Sequence, residues 1–242
     1  MELFGRVALV TGAGRRVGRC IAETLGARDM RIAVHYHSSA EGAQAAVDSL
    51  TRSGHEAESF RADLREPGAA QALIDSVVRR FGGIDVLVNS AAIMVRTPVE
   101  AVTTAQWDEI FSVNLRAPFF CAQAAAACMR DHGGAIVNIA DLAGMEAWPA
   151  YVPHGISKAG VLQMTRALAR ALAPGIRVNA VAPGAVLPPD DWSRDDVERL
   201  ASTTPLRRIG SPEDVAQAVV FLLEADYVTG ETVVVDGGRR LR

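Results

Sequence analysis

The sequence predicts one doubly wound α/β domain, a parallel sheet of about seven strands with helices on both faces. Three observations predict it. Short apolar, β-branched runs alternate with longer stretches of helical spacing from end to end. The strand-like runs are apolar at consecutive positions, as strands covered on both faces are. A chain of 242 residues, 49% of them hydrophobic, is long enough to bury one large core.

The expected strands are residues 6–11, 31–36, 57–61, 84–89, 135–140, 177–182 and 232–235. Between them, Ala-rich stretches at 17–27, 69–81, 106–129 and 157–173 carry helical spacing. Strand, helix and strand in repetition imply parallel strands joined by right-handed crossovers. The nearest approach to a break, Pro188-Pro189-Asp190-Asp191, falls between two elements of one sheet and reads as a loop or lid. Residues 186–204 are therefore the expected substrate loop of a single domain spanning residues 1–242.

Bulk properties exclude several classes. A net charge of −3 with 22% charged residues gives no basic footprint for nucleic acid. No apolar run approaches the ~18 residues of a membrane span, and the N-terminus lacks a basic lead, a long apolar stretch and a cleavage site. Cys20, Cys121 and Cys128 are odd in number and lack metal-ligand spacing, so no metal is expected. They read as reduced core thiols of a cytoplasmic protein.

In such a sheet, ligands sit beyond the carboxyl ends of the strands. Gly12 follows the first strand, Asn89 the fourth, Asp141 the fifth and Pro183-Gly184 the sixth. Thr11-Gly12-Ala13-Gly14-Arg15-Arg16-Val17-Gly18 joins the first strand to the first helix. Glycines there let backbone approach a pyrophosphate at the positive end of a helix, which points to a Rossmann-type nucleotide site. The second strand ends Val34-His35-Tyr36-His37-Ser38-Ser39, without the acid that would bind a ribose 2′-hydroxyl. Arg15, Arg16 and hydroxyls in place of a carboxylate suit a 2′-phosphate, so NADP(H) is the expected cofactor. Asp63-Leu64, after the third strand, is placed to contact adenine or to cap a helix.

These residues, with Asn89-Ser90-Ala91-Ala92, Asn114, Ser157-Lys158-Ala159-Gly160, Pro183-Gly184 and Asp236-Gly237-Gly238, occur in the order of the landmarks of the short-chain dehydrogenase/reductase family. The chain resembles that family over essentially its full length. Arg16, His35-Tyr36-His37 and Asp141, where most members carry Ser, are similar to its pteridine reductase branch. The resemblance implies hydride transfer from NADPH, with Lys158 on the nicotinamide ribose and with Pro183, Gly184, Ala185 and Val186 around the nicotinamide. It implies that Asn114 holds a helix kink or a water linked to Lys158. It also implies a small-molecule substrate and a homodimer or homotetramer, with Arg242 near a neighbour's pocket.

The family's catalytic pair is Tyr-x-x-x-Lys, but His154 stands four residues before Lys158. That spacing puts both on one helix face. Tyr151, seven residues before Lys158, would lie roughly 10 Å away along a helix; the branch resemblance gives it a pocket-lining role, joined by Met145, Trp148 and Trp192. Three readings of His154 stay open. It is itself the acid, imidazole having a reference pKa of ~6.5 against ~10 for phenol; or Asp141 is the acid and His154 a relay; or the usual chemistry is lost. The leading expectation is reduction of a C=N bond in a pteridine-like heterocycle. The alternatives are a 3-oxoacyl or other carbonyl reductase, and a cofactor-binding protein without redox chemistry.

Overall fold

The computed structural model describes residues 1–187 and 193–241. Seven strands form one sheet: β1 (Val7–Val10), β2 (Arg31–Tyr36), β3 (Ala57–Arg61), β4 (Val86–Asn89), β5 (Gly134–Ile139), β6 (Ile176–Pro183) and β7 (Thr232–Val235). Their order is β3-β2-β1-β4-β5-β6-β7, every pairing parallel. The winding direction reverses between β1 and β4, which opens a crevice beyond their carboxyl ends.

Helices α1 (Arg16–Gly26), α2 (Ala40–Arg52) and α8 (Pro212–Glu224) cover one face, and α3 (Ala69–Phe81), α5 (Ala117–Met129) and α6 (Val152–Leu172) the other. Period-two alternation divides the strands between the layers: Ala8 and Val10 pack with Ile21, Leu25 and Val219, whereas Val7 and Leu9 pack with Ile74, Val77 and Met129. Arg177 of β6 ties down the end of α8, its guanidinium donating to the carbonyls of Leu222, Leu223, Ala225 and Val228.

The strand expectations hold to within two residues at each end. The expected helix at 106–129 is three pieces: α4 (Thr104–Phe111), a π turn (Ser112–Arg116) and α5. Asn114 stands at the centre of this turn, and π turns are frequent at functional sites. Helix α6 starts five residues earlier than the spacing predicts, with Pro153 in its first turn, where a missing N–H costs nothing. The expected substrate loop contains α7 (Arg194–Thr203), begun by a capping box of Ser193 and Asp196. Of the expected core thiols only Cys121 is buried; Cys20 and Cys128 are half-buried, on helix edges. No described helix is long and apolar enough to cross a membrane.

A row of buried polar side chains crosses the sheet. Asn89 Nδ2 donates to Asn138 Oδ1 (2.9 Å), Asn138 Nδ2 to Thr165 Oγ1 (2.9 Å), and Thr165 Oγ1 to the Val161 carbonyl (2.8 Å). It ties β4 to β5 and β5 to α6.

Candidate active site

A cleft of about 1110 Å³ runs along the carboxyl edge of the sheet, from the glycine turn to Lys158. At its near end, Gly12 takes a φ of +67°, and a Cβ there would come within 2.8 Å of the Ala91 Cα. Its N–H donates to His35 Nδ1 (3.1 Å), while His35 Nε2 lies 3.1 Å from the Ala62 carbonyl. Two such partners require the neutral ring with its proton on Nε2, and burial pushes this histidine down to about 4. His35 thus braces the turn with both ring nitrogens spent on backbone, which leaves neither for a cofactor. Thr11 does the same for the neighbouring strand end: its hydroxyl accepts from the N–H groups of Ser90 and Ala91, both at 3.0 Å. Helix α1 begins without a side-chain cap or an acidic residue in its first turn, so its N-terminal donors face the cleft uncommitted to side chains.

Arg15, Arg16, Tyr36, His37, Ser38 and Ser39 line the same end of the cleft, with Val17 and Gly18 beneath them. Arg16 is held at a φ of +53°, and its guanidinium reaches the Leu187 carbonyl at 3.3 Å. A side chain in that left-handed conformation costs roughly 1–2 kcal/mol. Asp63 and Leu64 also line this corner. The Asp63 carboxylate is already taken by the fork of Arg65, whose Nη2 is 2.7 Å away, which holds it down at about 2; His37 Nε2 lies 3.5 Å from it. Asn89 is a correction. It is 4% exposed, spends its amide on Pro118 and Asn138, and does not line the cleft, although Ser90 and Ala91 beside it do.

At the far end the π turn, the strand ends and α6 converge. Asn114 clamps the backbone of Ile93 from both sides: its Oδ1 accepts from the N–H (2.8 Å) and its Nδ2 donates to the carbonyl (2.9 Å). The same Nδ2 is 3.2 Å from Ser157 Oγ and 3.3 Å from His154 Nδ1. His154, 2% exposed, sets Nδ1 3.2 Å from the Ile93 carbonyl, and its Nε2 has no hydrogen-bond partner among the described residues. That nitrogen lies 3.7 Å from Asp141 Oδ2, whose other oxygen accepts from the Ala143 N–H (2.7 Å). One turn on, Lys158 donates to the Ile139 carbonyl (2.8 Å) and is 4% exposed. Asp141, His154 and Lys158 thus meet in one wall, with Asn114 behind it.

Burial pushes Lys158 from the ordinary 10.5 down to about 8, against an opposing pull from Asp141. Between those values only the unfolded chain keeps the proton, so this group makes folding stability rise with pH from about 8 to about 10.5. Urea unfolding compared at about pH 7 and about pH 9.5 should show wild type gaining on Lys158→Met. Equal changes in the two chains would refute it.

On the substrate side, Tyr151 and Trp148 line the cleft and meet edge to face at 6.3 Å; the indole N–H donates to Glu146 (2.9 Å). Pro183, Gly184, Ala185 and Val186 line the opposite wall. Met145 is a further correction: it is 39% exposed and outside the lining, because the 3-10 turn of Leu142–Gly144 ends there and turns it to solvent. Trp192 and Arg242 lie outside the described residues. Several parts of this site carry no motif. Ile93 acts through its backbone, which no side-chain pattern reports; Arg65 and Arg239 line the cleft from just beyond β3 and β7, and Leu200 from within the expected substrate loop. No group of three or more His, Cys, Asp or Glu residues that could hold a metal occurs among the described residues.

The family model described as enoyl-(acyl carrier protein) reductase matches residues 12–240. 3beta-Hydroxysteroid dehydrogenase 1 of Eggerthella lenta is 36% identical over 258 residues, covering 99% of this chain and 95% of that protein. The 3-oxoacyl-[acyl-carrier-protein] reductase FabG of Staphylococcus aureus is 38% identical over 237 residues, covering 96% of each. A solved dehydrogenase/reductase of Sinorhizobium meliloti 1021 superposes with a TM-score of 0.91 at 35% identity, over 98% of this chain and 97% of that one. With a family model across nearly the whole chain, relatives above a third identical, and one Rossmann-type sheet, this protein belongs to the short-chain dehydrogenase/reductase family of oxidoreductases.

Proposed function

We propose that this chain is an NADP(H)-dependent reductase of a ketone in a small-molecule substrate, with Asp141 and His154 supplying the proton. One observation carries the reading: a buried imidazole presents an unpartnered nitrogen to a carboxylate, beside Lys158, in the cleft that begins at the uncapped helix α1. The relatives turn the choice of bond from C=N to C=O, since those named are 3-oxoacyl reductases and a hydroxysteroid dehydrogenase. Reduction of C=N in a planar heterocycle is the second reading. It is favoured by Asp141, because a carboxylate stabilises an imine nitrogen that becomes cationic, but offers a ketone oxygen nothing unless protonated.

The residues fit the cofactor. The glycine turn and the first N–H groups of α1 would hold the pyrophosphate, with Ser90 and Ala91 alongside. Arg15, Arg16, Tyr36, His37, Ser38 and Ser39 would hold a 2′-phosphate, Asp63 and Leu64 the adenine, Lys158 the nicotinamide ribose, and Pro183, Gly184, Ala185 and Val186 the nicotinamide. When bound, the cofactor supplies a hydride. The chain's part is to orient and to donate the proton. The Lys158 ammonium, pinned by the Ile139 carbonyl, adds positive charge beside the reacting oxygen. Asn114, its amide spent on Ile93 and Ser157, positions rather than donates. Tyr151 and Trp148 offer an apolar wall. The reading extends to a homodimer or homotetramer, supported by Trp107, Phe119 and Phe120, which expose aromatic surface on α4 and α5.

Arg16 tests the cofactor choice. Removing one charge-assisted hydrogen bond to phosphate costs about 1.5–3 kcal/mol, so Arg16→Gly should raise the KM for NADPH roughly 10- to 100-fold and leave NADH unaffected. Stability should not suffer, since glycine relieves the positive φ. Equal effects on both cofactors would remove the 2′-phosphate role.

NADPH oxidation by the purified chain tests the function, with an acetoacetyl thioester, a 3-ketosteroid, a diketone and dihydrobiopterin as substrates. Ketone turnover supports the first reading. Dihydrobiopterin turnover with inert ketones moves the assignment to the second. Tight NADPH binding with no turnover on any of the four overturns both.

A further inference from the structure

The imidazole of His154 is fixed in one protonation pattern by groups outside the reacting wall. The Asn114 amide is oriented by the Ile93 N–H, which must meet its oxygen. Its two N–H bonds then have three candidates: the Ile93 carbonyl at 2.9 Å, Ser157 Oγ at 3.2 Å and His154 Nδ1 at 3.3 Å. Ser157 gives its own hydrogen to the His154 carbonyl at 2.7 Å, so its oxygen is an open acceptor. The first two take the amide hydrogens. His154 Nδ1 then faces the Ile93 carbonyl at 3.2 Å, and only an N–H satisfies that contact. With Nδ1 protonated, a neutral ring would aim the bare, buried Nε2 lone pair at the partly exposed Asp141 Oδ2, 3.7 Å away. A buried acceptor facing a carboxylate oxygen is unfavourable without a proton between them.

We propose that the Ile93 carbonyl, Asn114 and Ser157 lock His154 with its Nδ1 protonated, so that Asp141 and His154 hold a single transferable proton between Oδ2 and Nε2. The pair is then the acid, and neither residue is one alone. When the proton leaves for the substrate oxygen or nitrogen, the carboxylate and a neutral imidazole remain, and a proton from solvent restores the pair. Lys158 faces the pair from the next turn of α6 and holds its charge against the carboxylate. Asn114 and Ser157 are positioning residues. Only the use made of the proton rests on the proposed reductase reading; the lock stands on the geometry.

The test is nitrogen-15 NMR of the imidazoles in the full chain, which has five histidines, with His154 assigned by comparison with His154→Gln. Between about pH 5 and about pH 9, the ring should lose its proton from Nε2 and keep Nδ1–H. In Asp141→Asn, which preserves the acceptor for the Ala143 N–H, the Nε2 proton should be held less tightly than in wild type. A wild-type ring that keeps both protons throughout, and releases the one on Nε2 only in Asp141→Asn, is the same result more strongly. A neutral form with bare Nδ1, or a midpoint unmoved by Asp141→Asn, overturns the proposal. This readout needs no turnover. A lock found in a chain inert towards every substrate would defeat the reductase reading alone, and an active enzyme with bare Nδ1 would defeat the lock alone.

Discussion

Replacing His154 by glutamine is expected to lower kcat by about 10²- to 10⁴-fold, the usual contribution of a positioned acid. NADPH affinity should stay within about threefold, because the Ile93 backbone that this ring touches is also clamped from both sides by Asn114. Stopped-flow turnover and NADPH titration separate the two. The magnitude follows from the surroundings: at 2% exposure the imidazole is out of water, and its Nε2 lies 3.7 Å from Asp141 Oδ2. A His154→Tyr chain supplies the complementary arm. A phenol in this frame would rely on Lys158 to give up its proton, as the family's usual pair does. If the tyrosine chain outperforms wild type, His154 is not the acid and the redox chemistry here has been weakened. If it is slower than wild type, the imidazole is the working group.

The second large effect is at the other end of the cleft. Gly18→Ala should weaken NADPH binding by at least about tenfold, a loss of 1.4 kcal/mol or more, and destabilise the fold by about 1–3 kcal/mol, the usual cost of overpacking. A Cβ on Gly18 would collide with the Gly12 carbonyl oxygen and come within 2.9 Å of its carbon, so α1 must move off the turn. That movement displaces the donors proposed to receive the pyrophosphate. Calorimetric titration with NADPH and a Tm measurement check both parts. Affinity unchanged alongside a lowered Tm would mean that the helix end is not the phosphate site.

Much of the fold was legible because one physical signal dominated it. Strands buried on both faces read as apolar runs, as in β1, β2 and β4, and the half-buried edge strands β3 and β7 also begin and end where the sequence predicts them. The boundaries that moved did so for tertiary reasons. The 106–129 stretch has continuous helical spacing, and the π turn that divides it is centred on Asn114, whose side chain grips Ile93, 21 residues away in sequence. At the site, Asp141, His154 and Lys158 were found from motif positions, and the structure brings them to one wall. What stayed hidden depends on orientation: Asn89 and His35 sit at strand ends as cofactor residues would, yet Asn89 turns to the interior and His35 spends both ring nitrogens on backbone. Asp63 lines the cofactor end of the cleft as its position predicts, but its pairing with Arg65, two residues on, is a contact that no motif position announces. The favoured substrate bond came from a resemblance finer than the residues could carry, and the relatives point to the carbonyl instead.

The polar row of Asn89, Asn138 and Thr165 bears on how sharply α6 is indexed about its own axis. Apolar packing alone tolerates small rotations of a helix through rotamer adjustment. For a side chain reaching ~6 Å from the axis, a turn of ~10° displaces its tip by ~1 Å, enough to cost a reaction about 10²-fold. Thr165 lies two turns beyond Lys158 on the same face, and its hydroxyl, caught between Asn138 and the Val161 carbonyl, fixes the azimuth of the whole helix. Apolar replacements in this row would therefore pass a screen for folded protein and still detune the chemistry two turns away.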